Sequence, residues 1–169
     1  MPDIPKLIRD GDRKNEQIIP PQGSGQVYRR ILVGTDFSPA STPAFDQALK
    51  LARQNGAELL IAHCYTIPGD ISFMPSEAYG EWEQRCLQEA ERNITALVEK
   101  AHKEGVKAHK LVLAGLADDL IVEVAKRLDV DLIVIGTHGR RGVWKILLGS
   151  VAARVVPLAP CAVLTVHCA

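Results

Sequence analysis

Five short, almost unbroken apolar runs recur along this chain, separated by stretches with helical spacing. That rhythm restricts the fold more than any other feature. The runs are RILVGTD (30–36), AELLIAHCY (57–65), VKAHKLVLAG (106–115), VDLIVIG (130–136) and CAVLTVH (161–167). A run that is apolar on consecutive residues buries both faces, as the strands of a parallel sheet do. Between the runs, apolar residues return every three or four positions. Ala44, Phe45, Ala48, Leu49 and Ala52 form one stripe, and Tyr79, Trp82, Cys86, Ala90, Ile94, Leu97 and Ala101 form another within a helix over 76–103. Ser38 or Thr42 can cap the first helix, with Pro39 or Pro43 at its start and Gly56 at its close. ADDLIVEVAKRLD (117–129) opens with two acids, which suits the positive end of a helix dipole. SVAARVVPLAP reads as a short helix stopped by Pro160. Strands alternating with helices predict an α/β fold, a parallel sheet with helices on both faces. Ligands of such sheets lie at the carboxyl ends of strands where strand order reverses. Asp36, the loop after Tyr65, Gly115 and the segment from Gly136 onward all fall at strand ends.

The chain has 169 residues, enough for one domain with a sizeable core. Residues 1–27 read differently. Their IIPPQGSGQ stretch cannot bury enough surface to order itself, so they are expected to form a flexible N-terminal arm, with the domain over 28–169. Lys and Arg total 20 and Asp and Glu total 20, so the formal net charge is zero. That balance argues against a partner such as nucleic acid or an anionic membrane surface. It also offers little repulsion between copies, so self-association is expected. Cys64, Cys86, Cys161 and Cys168 show no CxxC pair and no zinc spacing. They are expected to be reduced and mostly buried, as in a cytoplasmic protein. No apolar run approaches the roughly 20 residues of a membrane helix.

The segment DLIVIGTHGRRGVWKILLGS places its glycines directly after the fourth apolar run. Gly136, Gly139 and Gly149-Ser150 fit the spacing G-x2-G-x9-G-[ST]. Glycine at 136 and 139 permits a tight turn and leaves no Cβ between the backbone amides and a bound oxyanion. Gly149-Ser150 opens a helix whose first N–H groups, with the Ser150 hydroxyl, can receive a phosphate or sugar oxygen. Arg140 and Arg141 add charge where phosphates would lie. A P-loop would need G-x4-G-K-[ST] and a dinucleotide fingerprint G-x-G-x-x-G after the first strand; neither is present. Glycines that only make turns remain the alternative for any one of these positions.

In this order, ILVGTDFS, LLIAHCY, DLIVIGTHGR and ILLGSVAARVV resemble a universal stress protein of the nucleotide-binding kind, over about residues 28–167. The resemblance implies an open five-stranded parallel sheet, a Rossmann-like single domain holding ATP at the strand ends. It also implies a homodimer acting in stress adaptation. Carried onto matching positions, Asp36 sits beside the ribose or, through Mg²⁺ or Mn²⁺, the phosphates. The Cys64 backbone meets the adenine edge. Gly136, Gly139, Gly149 and Ser150 hold ribose and phosphates, with Val151 in the same binding set. Thr35 and Ile135 line the pocket. Gly34 departs mildly from the family, which often has another small residue or proline there. The last strand, CAVLTVH, leaves an edge that a two-fold mate can pair. Binding would order the Gly136–Ser150 segment and present a surface to an unknown protein partner.

Other residues are weighed singly. Asp36 ends a buried strand, where a carboxylate needs a partner. His63 is expected as a satisfied core histidine. His138, inside the glycine-rich loop, is either a phosphate or proton-transfer contact or a solvated loop residue. His102, His109 and His167 have no metal spacing. Trp82 is expected in the core and Trp144 at a dimer contact. Asp118 and Asp119 read as helix-dipole residues. No nucleophile elbow, Ser/His/Asp signature or H-E-x-x-H is present, so the chain is not read as an enzyme. Two alternatives stay open. One is a slow ATPase or adenylating enzyme; the other is a non-binding member of the fold that acts through protein contacts.

Overall fold

The computed structural model describes residues 27–66, 76–137 and 149–167. Along them run β1 (Arg30–Gly34), α1 (Thr42–Asn55), β2 (Glu58–Tyr65), α2 (Ser76–Lys103), β3 (Ala108–Ala114), α3 (Ala117–Arg127), β4 (Leu132–Gly136), α4 (Ser150–Leu158) and β5 (Ala162–Val166). The strands form one parallel sheet in the order β3-β2-β1-β4-β5. The expected α/β architecture is the one observed.

Burial explains why the strands are apolar on consecutive residues. In β1, Ile31 and Val33 face one layer and Leu32 the other, and all three are fully buried. Ile31 and Val33 pack with Phe45, Leu49 and Ile94 of α1 and α2. Leu32 packs with Leu120, Val124 and Val155 of α3 and α4. The central strand is held in register by Leu32 beside Leu60 on one side and Ile133 on the other. Asp131 fixes where β1 begins, because its Oδ2 accepts from the Arg29 and Arg30 amides at 2.8 Å each.

Several boundaries differ from the sequence reading. Ser41, rather than Ser38 or Thr42, occupies the α1 cap position, with Pro43 in the first turn. Gly56 closes α1 as expected, in the left-handed conformation at φ 62°. The last helix ends at Leu158 and accommodates Pro157, so it stops before Pro160. The α2 stripe is core only in its second half: Ala90, Ile94 and Ala101 are buried, whereas Tyr79, Trp82 and Cys86 are half-exposed. A helix of 28 residues is about 42 Å long, well beyond the reach of an eight-residue strand. Trp82 therefore leaves the core and pairs with Tyr79, ring centroids 6.0 Å apart. Cys64, Cys86 and Cys161 are free thiols, as expected, but only partly buried. Residues 1–26 of the expected 1–27 arm and the Trp144 contact lie outside the described residues. Among the described residues, no helix is long and apolar enough to cross a membrane.

Polar groups concentrate at the amino-terminal edge of the sheet. Arg30 and Lys107 both pair with Glu58. Burial pushes the Glu58 carboxyl up, but hydrogen bonds and charge from Lys107 and Arg30 outweigh it and leave it below its ordinary value. Burial lowers the His109 imidazole, partly opposed by the Glu58 charge. Both depressions cost stability as pH falls, because in each case the unfolded chain binds the proton at a higher pH than the folded one does. Stability should decline first as pH falls below about 6.5, and again below about 4.3. Urea denaturation across that range checks this, and Glu58→Gln should flatten the second decline and, by removing a charge that supports protonated His109, deepen the first.

Candidate functional site

The chain leaves β1 towards β2, while β4 joins the opposite side of β1. The carboxyl ends of β1 and β4 therefore flank the point where strand order reverses, which opens a crevice in a sheet of this kind. A cavity of about 160 Å³ lies there. Gly34, Thr35, Asp36, Cys64, Ile135, Gly136, Gly149, Ser150 and Val151, all singled out from the sequence, line it. His138, Gly139, Arg140 and Arg141 lie outside the described residues.

Each wall has a local cause. Gly34 supplies room: a Cβ there would stand 3.1 Å from Ile121 Cδ1 and 3.4 Å from Ile135 Cγ2. Both isoleucines line the cavity, and the approach to Ile121 is tight enough that a side chain at 34 requires Ile121 to shift. After Gly34 the chain turns sharply, with Phe37 at φ 60°, a conformation that costs a non-glycine residue about 1–3 kcal/mol. A relay of hydrogen bonds holds the turn. The Phe37 amide donates to Thr35 Oγ1 at 3.0 Å, which lies 3.1 Å from Ser41 Oγ, which donates to the Ser38 carbonyl at 2.9 Å. The Phe37 ring stacks on His63 at 4.3 Å. His63, buried as expected, uses its Nδ1–H to donate to the Thr35 carbonyl at 2.9 Å.

That scaffold fixes Asp36. Its Oδ1 accepts from the Ser38 amide at 3.0 Å and the Ser38 hydroxyl at 2.6 Å, so the carboxylate has a turn-making role as well as a place on the cavity wall. No cluster of three or more His, Cys, Asp or Glu able to hold a metal occurs among the described residues. One carboxylate does not retain a divalent ion by itself; it suits an ion that arrives already coordinated by phosphates.

The opposite wall is the start of α4. Gly149 takes the cap position at φ −63° and ψ 157°, with no side-chain cap hydrogen bond. Any residue adopts those angles, so glycine matters here for the side chain it lacks. The first-turn amides of Ser150, Val151 and Ala152 have no intrahelical acceptor by helix geometry, and they carry the positive end of the dipole. All three residues line the cavity. Backbone donors, a helix start and one carboxylate together favour an anion with hydroxyls or a cation attached.

The Cys64 thiol is pushed up to about 12 by burial, with a smaller contribution from the Asp118 charge. It is therefore a wall group and not a nucleophile. Iodoacetamide at pH 8 should leave Cys64 of the folded protein unmodified, as peptide mass mapping can show.

Sequence reasoning missed Ser41, Ala62, Ala117, Ile121 and Ala152 as lining residues. Ala117 and Ala152 each follow a recognised strand end or helix start by a residue or two, and that was their available signal. Ile121 had none, because it reaches the site only through the packing of α3 over β1. A second cavity of about 280 Å³ lies between α1 and α2, bounded by Phe37, Phe45, Leu97 and Lys100. It is larger and reaches the start of α1 at Ser41 and Thr42, but it contains none of the glycines whose missing side chains would leave backbone donors bare to a phosphate.

A family model described as the universal stress protein family matches residues 27–167. Universal stress protein MJ0531 of Methanocaldococcus jannaschii is 36% identical over 144 residues, covering 83% of this chain and 82% of that protein. A solved universal stress protein in complex with cAMP is 28% identical and superposes with a TM-score of 0.63, over 85% of this chain and 98% of that one. The universal stress protein from Archaeoglobus fulgidus in complex with dAMP is 25% identical, with a TM-score of 0.58 over 82% of this chain and 98% of its own. The match runs through the whole described sheet and every wall of the cavity, and on that ground the chain belongs to the universal stress protein family.

Proposed function

We propose that this chain is an ATP-binding stress-adaptation factor that works as a homodimer and signals through nucleotide occupancy to a protein partner. The observation that carries this reading is the cavity at the reversal point, where backbone at the ends of β1 and β4 meets the uncapped first turn of α4. The cAMP and dAMP complexes of two relatives support an adenine nucleotide as the ligand class. The extension to a triphosphate rests on the glycine spacing that continues through Gly139 to Gly149, with Arg140 and Arg141 inside it. Asp36 would hold Mg²⁺ or Mn²⁺ through the phosphates, and the ion would neutralise charge that the wall cannot.

The dimer reading rests on β5. It pairs only with β4 in the described sheet, and Val163–Val166 are half-buried along that edge. Exposed Val156 and Leu158 on α4 precede it in the chain. An apolar edge of this kind is a template for a second copy. Sedimentation should give the mass of two chains, and a monomer across the micromolar range would remove this part of the reading.

Titration calorimetry tests the nucleotide. One ATP per chain should bind with Mg²⁺, with GTP weaker. Absence of binding by ATP, AMP and cAMP at millimolar concentration would overturn the assignment.

A further inference from the structure

The cavity is framed by the starts of two helices, α3 and α4, and one ion pair joins them. Arg154 Nη1 lies 3.0 Å from Asp118 Oδ2. Arg154 is one turn beyond Ser150, and Asp118 follows Ala117; both of those neighbours line the cavity. The pair is lopsided in its exposure, with the arginine side chain 67% exposed and the aspartate 13%. The carboxylate is thus the poorly solvated member, and the guanidinium is laid over it from the solvent side.

Asp118 has a reason to stand where it does, because an acid in the first turn of α3 favours the helix. That placement puts a second negative charge near a cavity already walled by Asp36. Its influence reaches inside, since the Asp118 charge contributes to raising the Cys64 thiol. A site meant for anions carries an acid at its rim, which is a conflict unless something cancels the charge.

We propose that Arg154 is a positioning residue that cancels the Asp118 carboxylate, and so sets how strongly the site favours ligands by their phosphate charge. The inference rests on the nucleotide-site reading above. Arg154 touches no ligand in this scheme; it removes a repulsion that grows with each phosphate. Taking it away exposes a poorly solvated carboxylate to the incoming anion without opening a hole in the core.

The test is Arg154→Met, with adenosine, AMP and ATP titrated in low salt without divalent ions. Adenosine affinity should stay within about twofold. AMP should weaken about threefold and ATP about tenfold, as a partly screened like charge near the phosphates requires. Asp118→Asn in the Arg154→Met background should restore ATP binding, and high salt should shrink the graded loss. Equal loss for all three ligands, no loss for ATP, or failure of Asp118→Asn to rescue would each overturn the proposal. If the unaltered protein binds no adenine nucleotide, the site reading itself fails; if it binds and the series is flat, only the role of the ion pair fails.

Discussion

A valine at position 149 should abolish nucleotide binding while the sheet stays folded. The backbone there has φ −63° and ψ 157°, angles that valine adopts without strain. The fold cost is limited to a poorer helix cap, about 1 kcal/mol. The cost to the ligand is far larger. Three carbons would stand at the mouth of a cavity of about 160 Å³, over the first-turn amides of α4 that the phosphate needs. ATP affinity should fall by more than about a hundredfold, beyond about 2.7 kcal/mol, with a near-native circular dichroism spectrum. Gly136→Val, at the end of β4, should act in the same direction. Unchanged affinity in both variants would show that the glycines only make turns.

Leu32→Ala should produce the largest loss of stability. Leu32 is fully buried in the central strand, under α3 and α4. Its truncation leaves a cavity between two layers that are each anchored elsewhere and cannot collapse onto it. The expected cost is about 2–5 kcal/mol, seen in urea as a lower midpoint with an unchanged slope. Leu116→Ala is the control: that leucine is 52% exposed and should change stability by less than about 0.5 kcal/mol. Equal effects from the two variants would contradict the two-layer core.

The architecture was legible because a parallel strand covered on both faces must be apolar on consecutive residues, as Ile31, Leu32 and Val33 are. The candidate site was legible where backbone forms the cavity wall. Glycine at 34, 136 and 149 and serine at 150 mark places where side chains are kept away or a helix begins, and such marks are local in the sequence. Ile121 was not legible, because what brings it to Gly34 is the packing of a helix more than 80 residues further along the chain. The half-exposure of Trp82 was hidden for a different reason. Helical spacing reports which face a residue occupies and says nothing about whether the sheet extends far enough to cover it. The role of Ser41 depends on the turn at Phe37, whose left-handed backbone no apolar pattern announces.

The most direct measurement is a crystal structure of the protein grown with ATP and Mg²⁺. The phosphates are expected against the amides of Ser150, Val151 and Ala152 and the backbone at Gly136, with the cation between them and Asp36. Density for nucleotide elsewhere, with the crevice between β1 and β4 closed by side chains, would contradict the account.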